Sequence, residues 1–140
     1  MSLLKLQKSL VYGPVASRRL GCSLGINILP FEYKLCSLNC IYCQYGWTKE
    51  RTADAKAHAS DLPGVREVAE SLREYLSKLA EISVFPSYIT FSGNGEPTLH
   101  PEFGEIVHVV KDARDELAPK ALVAILSNST TIGKKKIRQA

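Results

Sequence analysis

Apolar positions recur along the chain in two rhythms. Val65, Val68, Leu72, Tyr75, Leu76 and Leu79 fall at steps of three and four, which puts them on one face of a helix running to about residue 82. Ser60 or Asp61 is the expected cap of that helix, with Pro63 in its first turn. A second helix is expected from Pro101, with Phe103, Ile106, Val107, Val110 and Leu117 on its inner side. Three shorter stretches have the pattern of strands. LGINIL (24–29) alternates, SYITFSG (87–93) is β-branched and aromatic and stops at glycine, and ALVAIL (121–126) is an unbroken apolar run, as in a strand covered on both faces. TKERTADAKAHAS (48–60) is polar and reads as linker, and IGKKKIRQA opens a third helix.

The order is strand, loop, helix, three times over. Crossovers of this length predict parallel strands with helices packed on them, an α/β fold of parallel (β/α) units. Residues 1–9 form a tail and 10–140 three βα units of one domain, with Met1, Ser2 and Leu3 reading as an expression scar. Three units cannot close a barrel, and the third helix has barely begun at Ala140. The expectation is therefore the first half of a partial (β/α)6 TIM-like barrel, truncated. In such folds the loops after the strands gather at one edge of the sheet. That predicts convergence of a cysteine-rich loop after the first strand, SGNGEPTLH (92–100) after the second and SNST (127–130) after the third.

Composition narrows the classes. With 140 residues, 45% apolar and 23% charged, the chain has enough for one ordinary core. No apolar run approaches the ~20 residues of a bilayer span, and MSLLKLQKSLVYG lacks the apolar centre and cleavage site of a signal peptide. A cytoplasmic protein without a membrane partner is expected. The net charge of +4 is unevenly placed: Lys5, Lys8, Arg18 and Arg19 precede any acid, and Lys134, Lys135, Lys136 and Arg138 follow the last one. Basic ends can meet an anionic partner, although lysines at a helix start also serve simply as a solvated face.

The sharpest chemical signal is CSLNCIYC, residues 36–43, which holds Cys36, Cys40 and Cys43. In a reducing compartment, thiols this dense point to metal or redox chemistry. Structural zinc takes four protein ligands, and Cys22, His58, His100 and His108 are the available completions. Electron-carrying iron–sulfur cubanes also take four, one per iron. Three thiolates in one loop would instead hold three corners of a cube and leave the fourth iron open to a small molecule, as catalytic metal sites keep a position open.

CSLNCIYC matches the Cys-x3-Cys-x2-Cys motif of the radical S-adenosylmethionine (radical SAM) superfamily, including the aromatic Tyr42 before the last cysteine. SGNGEPTLHP resembles that superfamily's Gly-Gly-Glu-Pro motif, here with Gly-Asn-Gly in place of Gly-Gly. YGPVASRRLGCSLGINILP and YCQYG are similar to the wyosine-synthase-like subgroup of iron–sulfur oxidoreductases. The resemblance covers roughly residues 11–132. It implies a [4Fe–4S] cluster on Cys36, Cys40 and Cys43, and SAM beside it. Tyr42 would lie near the adenine, and Gly93, Asn94, Gly95 and Glu96 would hold the methionine amino group. Pro97 would fix the turn, and Ser127 and Asn128 would contact SAM or substrate.

The implied reaction is reductive cleavage of SAM to a 5′-deoxyadenosyl radical, which abstracts hydrogen from a substrate. The reductant would be a protein such as flavodoxin or ferredoxin, and the substrate a small molecule, peptide or RNA. True wyosine synthases carry further cysteines ahead of the motif, and here only Cys22 precedes it, which counts against tRNA as the substrate. Cys22 reads as a small apolar filler and His108 as structural. Arg18 and Arg19 are either anion contacts or stems packed at the rim, and Tyr45 and Trp47 are candidates to cover the cysteine loop. The alternative function is a non-catalytic zinc- or cluster-stabilised binding module.

Overall fold

A computed structural model describes residues 3–140; Met1 and Ser2, the start of the expected tail, lie outside the described residues. Four strands form one sheet in the order β1 (Val11–Ser17), β2 (Gly21–Ile26), β5 (Tyr88–Phe91) and β6 (Leu122–Ile125). β2, β5 and β6 run parallel, joined by α1 (Val65–Glu81) and α2 (Phe103–Leu117). A second, two-stranded sheet pairs β3 (Leu35–Cys36) with β4 (Glu50–Arg51). The chain is thus a mixed α/β protein with parallel strands and helical crossovers. No helix among the described residues is long and apolar enough to cross a membrane.

Five sequence expectations need correction. First, β1 precedes the three βα units and pairs antiparallel with β2, from Val11 opposite Ile26 to Ser17 opposite Gly21. Gly13 and Pro14 lie inside it. The strand tolerates them because it is an edge, where a missing N–H costs no ladder bond, and the register shifts between Tyr12 and Val15.

Second, the first parallel strand runs over 21–26 instead of 24–29. Asn27 takes the chain out of the sheet: buried, it accepts from Leu29 N and donates to Leu29 O at 3.2 Å. Third, β6 is not covered on both faces. Leu122 is 55% exposed and Ile125 40%, because β6 is the other edge of the sheet.

Fourth, neither Ser60 nor Asp61 caps α1. Residues Lys56–Asp61 form a 3-10 turn that overlaps the end of the expected linker, and Gly64 stands at the cap without a side-chain bond. Asp61 accepts from Tyr33 Oη at 2.6 Å instead. Fifth, the third helix, α3, spans only Lys135–Arg138.

The two sheet faces differ in chemistry because side chains alternate. Leu24, Ile26, Ile89 and Phe91 point to one side and meet Val68, Leu72 and Leu76 of α1 and Ile106 and Val110 of α2. Each fully buried side chain of this size contributes about 1.5–3 kcal/mol. On the other side stand Ser23, Gly25, Thr90 and Ser92. Ser23 Oγ and Thr90 Oγ1 share a 2.8 Å hydrogen bond, and Tyr12 Oη and Ser92 Oγ one of 2.6 Å. The Tyr12 ring lies so close over Gly25 that a Cβ there would collide with it. Burial pushes the Tyr12 phenol up to about 12. These hydroxyls border a cavity of about 670 Å³.

Candidate functional site

The cysteine loop is pinned at its neck. β3 and β4 pair across it, and Leu35 is stitched to the turn after β5: its N–H donates to Asn94 O at 2.9 Å and its carbonyl accepts from Glu96 N at 3.2 Å. A side chain at Gly95, where φ is +144°, would land on the Leu35 carbonyl. A Cβ at Gly93, where φ is +135°, would collide with the Asn27 side chain at 2.5 Å. The two glycines therefore allow close contacts, one with backbone and one with a side chain, that any L side chain would block. Inside the loop, Cys43 N donates to Cys40 O, Gly46 N to Cys43 O, and Thr48 N to Asn39 Oδ1.

Glu96 fastens the third loop to this pair. Glu96 is 1% exposed. Oε1 accepts from Thr98 N, Thr98 Oγ1 (2.6 Å) and Ser127 Oγ (2.9 Å), and Oε2 accepts from Asn128 N at 2.6 Å. Thr98 Oγ1 also pairs with Thr131 Oγ1. Asn128 then reaches the cysteine loop, donating to Ser37 Oγ at 3.0 Å and more weakly to Cys36 Sγ at 3.5 Å. The three loops thus converge at the carboxyl ends of β2, β5 and β6. Glu96 is no surface turn carboxylate; it is the acceptor that ties the loops together.

Cys36, Cys40 and Cys43 line one cavity of about 160 Å³, together with Tyr42, Gly93, Gly95, Glu96 and Asn128. Burial raises the Cys36 thiol, opposed in part by backbone hydrogen bonding from Leu38 and the charge of Lys34. Tyr42 is 77% exposed, and the Cys40 thiol beside it raises its phenol. Ser127 contacts Glu96 and does not line this cavity. Nor does Asn94, whose buried amide donates to Gln7 O and Pro30 O and accepts from Gln7 N. Tyr45 borders both this cavity and the larger one, as do Gly93, Gly95 and Leu126. Trp47 is exposed and borders neither.

The candidate fourth ligands lie elsewhere. Cys22 is half-buried in β2, His58 bonds Tyr33, His108 is exposed on α2, and none of them lines the cysteine cavity. His100 is buried between Pro63 O and Glu102 N. Among the described residues, no three Cys, His, Asp or Glu side chains are spaced to close round one ion. Cys36, Cys40 and Cys43 border one space, and thiolates are the donor type that an iron–sulfur cluster takes.

Two buried polar residues of the site, one beside a thiol and one behind the glycine turn, are absent from the candidates that the sequence offers. Lys34 is 4% exposed and donates to Cys43 Sγ at 3.0 Å and Gly46 O at 2.7 Å. Asn27 accepts from Asn94 N at 3.1 Å and so supports the glycine turn. Asn27 had a legible signal, a polar residue inside the apolar run INIL. Lys34 had none.

Several longer proteins are similar over nearly the whole chain. A protein of Brachyspira hyodysenteriae named GTPase Obg is 38% identical over 134 residues, 96% of this chain and 18% of that protein. A UPF0026 protein of Methanocaldococcus jannaschii is 35% identical over 93% of this chain and 36% of its own length. One from Helicobacter pylori is 32% identical over 94% and 38%. The chain spans less than half the length of these curated relatives. No solved structure matches it significantly. Residues 33–139, from just before the cysteine loop through the SNST loop and α3, match the radical SAM superfamily model, and the chain belongs to that superfamily.

Proposed function

We propose that this chain is the cluster- and SAM-binding part of a radical SAM enzyme, with residues 10–140 as one domain and 1–9 as a tail. Cys36, Cys40 and Cys43 would hold a [4Fe–4S] cluster. The observation that carries this reading is the shared cavity: three thiols, the two close-packed glycines and Glu96 border one space, which adjoins a larger one. The larger cavity, about 670 Å³, has the size of a small-molecule site.

When bound, a reduced cluster supplies the electron that splits SAM into methionine and a 5′-deoxyadenosyl radical, which takes a hydrogen atom from a substrate. The chain's own groups position and enclose. Gly93 and Gly95 let the turn pack against Asn27 and the Leu35 carbonyl while bordering both cavities. Ser23, Thr90, Ser92 and Tyr12 offer hydroxyls along the sheet floor. Glu96 holds the SNST loop by accepting from Ser127 Oγ and Asn128 N, and braces its own turn by accepting twice from Thr98. Its buried negative charge also favours a ligand ammonium nearby, in line with the SAM-binding role of the turn. Tyr42, Asn128 and Ser127 are the remaining candidate contacts.

The lead-in YGPVASRRLGCSLGINILP supports placement near the wyosine-synthase-like proteins. The open sheet with an exposed apolar β6 edge supports a half barrel that further strands would extend in the longer relatives. The proposed setting is the cytoplasm, with flavodoxin or ferredoxin as reductant and a small molecule, peptide or RNA as substrate. The test is anaerobic reconstitution with iron and sulfide, reduction, and assay of SAM. Formation of 5′-deoxyadenosine supports the reading; a colourless chain that titrates with one zinc and leaves SAM intact refutes it.

A further inference from the structure

We propose that Lys34 is a positioning residue that raises the reduction potential of the cluster held by Cys36, Cys40 and Cys43, through its ammonium group on Cys43 Sγ. This rests on the cluster reading above. Lysine is seldom this buried, at 4% exposure, without a carboxylate partner. Among the described residues, no ion pair of Lys34 is found; its two partners are Cys43 Sγ at 3.0 Å and Gly46 O at 2.7 Å. A buried cation costs several kcal/mol unless a counter-charge compensates it. The thiol cavity is the place where that counter-charge would appear, since cysteines bind metal as thiolates.

The three thiols are not equivalent in this respect. Cys36 receives a long neutral contact from the Asn128 amide at 3.5 Å, whereas Cys43 receives a charged donor at 3.0 Å. A hydrogen bond from a cation draws electron density from the sulfur and offsets the extra negative charge of the reduced state. Hydrogen bonds to sulfur and local charge are among the factors that set cluster potentials. Lys34 reaches Cys43 because Lys34, Leu35 and Cys36 form the pinned neck of the loop, and because Gly46 N donates to Cys43 O and so folds Gly46 back beside the same thiol. The second bond, to Gly46 O, fixes the direction of the ammonium.

The test is a redox titration of the reconstituted chain without SAM, followed by absorbance and electron paramagnetic resonance. Lys34→Met and Lys34→Gln are expected to keep wild-type iron and sulfide content. At a fixed applied potential their reduced-to-oxidised ratio should fall about tenfold, about 59 mV for one electron. Lys34→Arg keeps the charge and should stay near wild type. A purely structural lysine predicts the opposite sign, because loosening the loop would admit water and ease the addition of negative charge. An unchanged or raised potential in the neutral variants overturns the proposal while leaving the cluster reading intact. Loss of cluster from both neutral variants also overturns it, since Lys34 would then serve assembly. A wild-type chain that takes up no iron and sulfide overturns both.

Discussion

The helix face of the central sheet and the loop rim at its carboxyl end are held by different physics. On the helix side, Leu24, Ile26, Ile89 and Phe91 meet α1 and α2 in a continuous apolar cluster. At the loop rim, the buried groups are polar: Asn27, Lys34, Asn94, Glu96, Thr98 and Thr131. The first side is stabilised by area removed from water, which is non-directional and tolerant of detail. The second depends on each donor meeting its acceptor, and a single missing partner leaves a buried group unsatisfied. The helix side supports the fold, and the rim fixes where the thiols and the glycine turn stand.

That contrast predicts a graded set of responses. Phe91→Ala should have the largest effect on stability. It removes a ring packed edge-on to Phe103 with centroids 5.6 Å apart, at a cost of about 3–5 kcal/mol in urea unfolding. Cluster uptake per folded molecule should be unchanged. If uptake falls in proportion to stability, the two regions are not separable.

Glu96→Gln should cost less, about 1–3 kcal/mol, because an amide group then faces donors where the carboxylate accepted. The damage should be local: amide exchange should quicken in 127–131 and the cysteine loop, and SAM cleavage should fail. Exchange spread evenly through α1 and α2 would contradict the local role.

His100 gives the smallest effect, visible through pH. Its Nδ1 accepts from Glu102 N, so Nε2 carries the proton donated to Pro63 O. Burial lowers its pKa from the ordinary 6.5. Below about 6.5 the unfolded chain binds a proton that the folded one does not, so the stability present above that pH is lost as pH falls through the folded value. His100→Gln should flatten the slope of stability against pH just below 6.5; an identical slope would show that His100 contributes nothing to it.

What was legible in the sequence follows the same division. Steps of three and four along α1 and α2 are local and report directly which face is buried. The β2–β5–β6 order and the meeting of their loops followed from crossover length and parallel pairing. Edge position is a tertiary property, so ALVAIL looked like a covered strand, and β1 at the opposite edge was not among the expected strands. The cysteine and glycine motifs were legible as chemistry. The burial of Glu96 and Lys34 was not, because their partners are supplied by loops up to 32 residues away. Asn94, whose amide is engaged by Gln7 and Pro30, shows the same limit: motif spacing identified the turn without revealing which of its side chains serve the framework.

The measurement closest to the central claim is iron and acid-labile sulfide per folded chain after oxygen-free reconstitution, in the wild type and in Cys40→Ala. Three thiols around an open-cornered cubane predict about four of each in the wild type and loss of both in the variant, with its thermal midpoint retained. Full loading of Cys40→Ala, or a wild type holding a single metal ion and no sulfide, would contradict it.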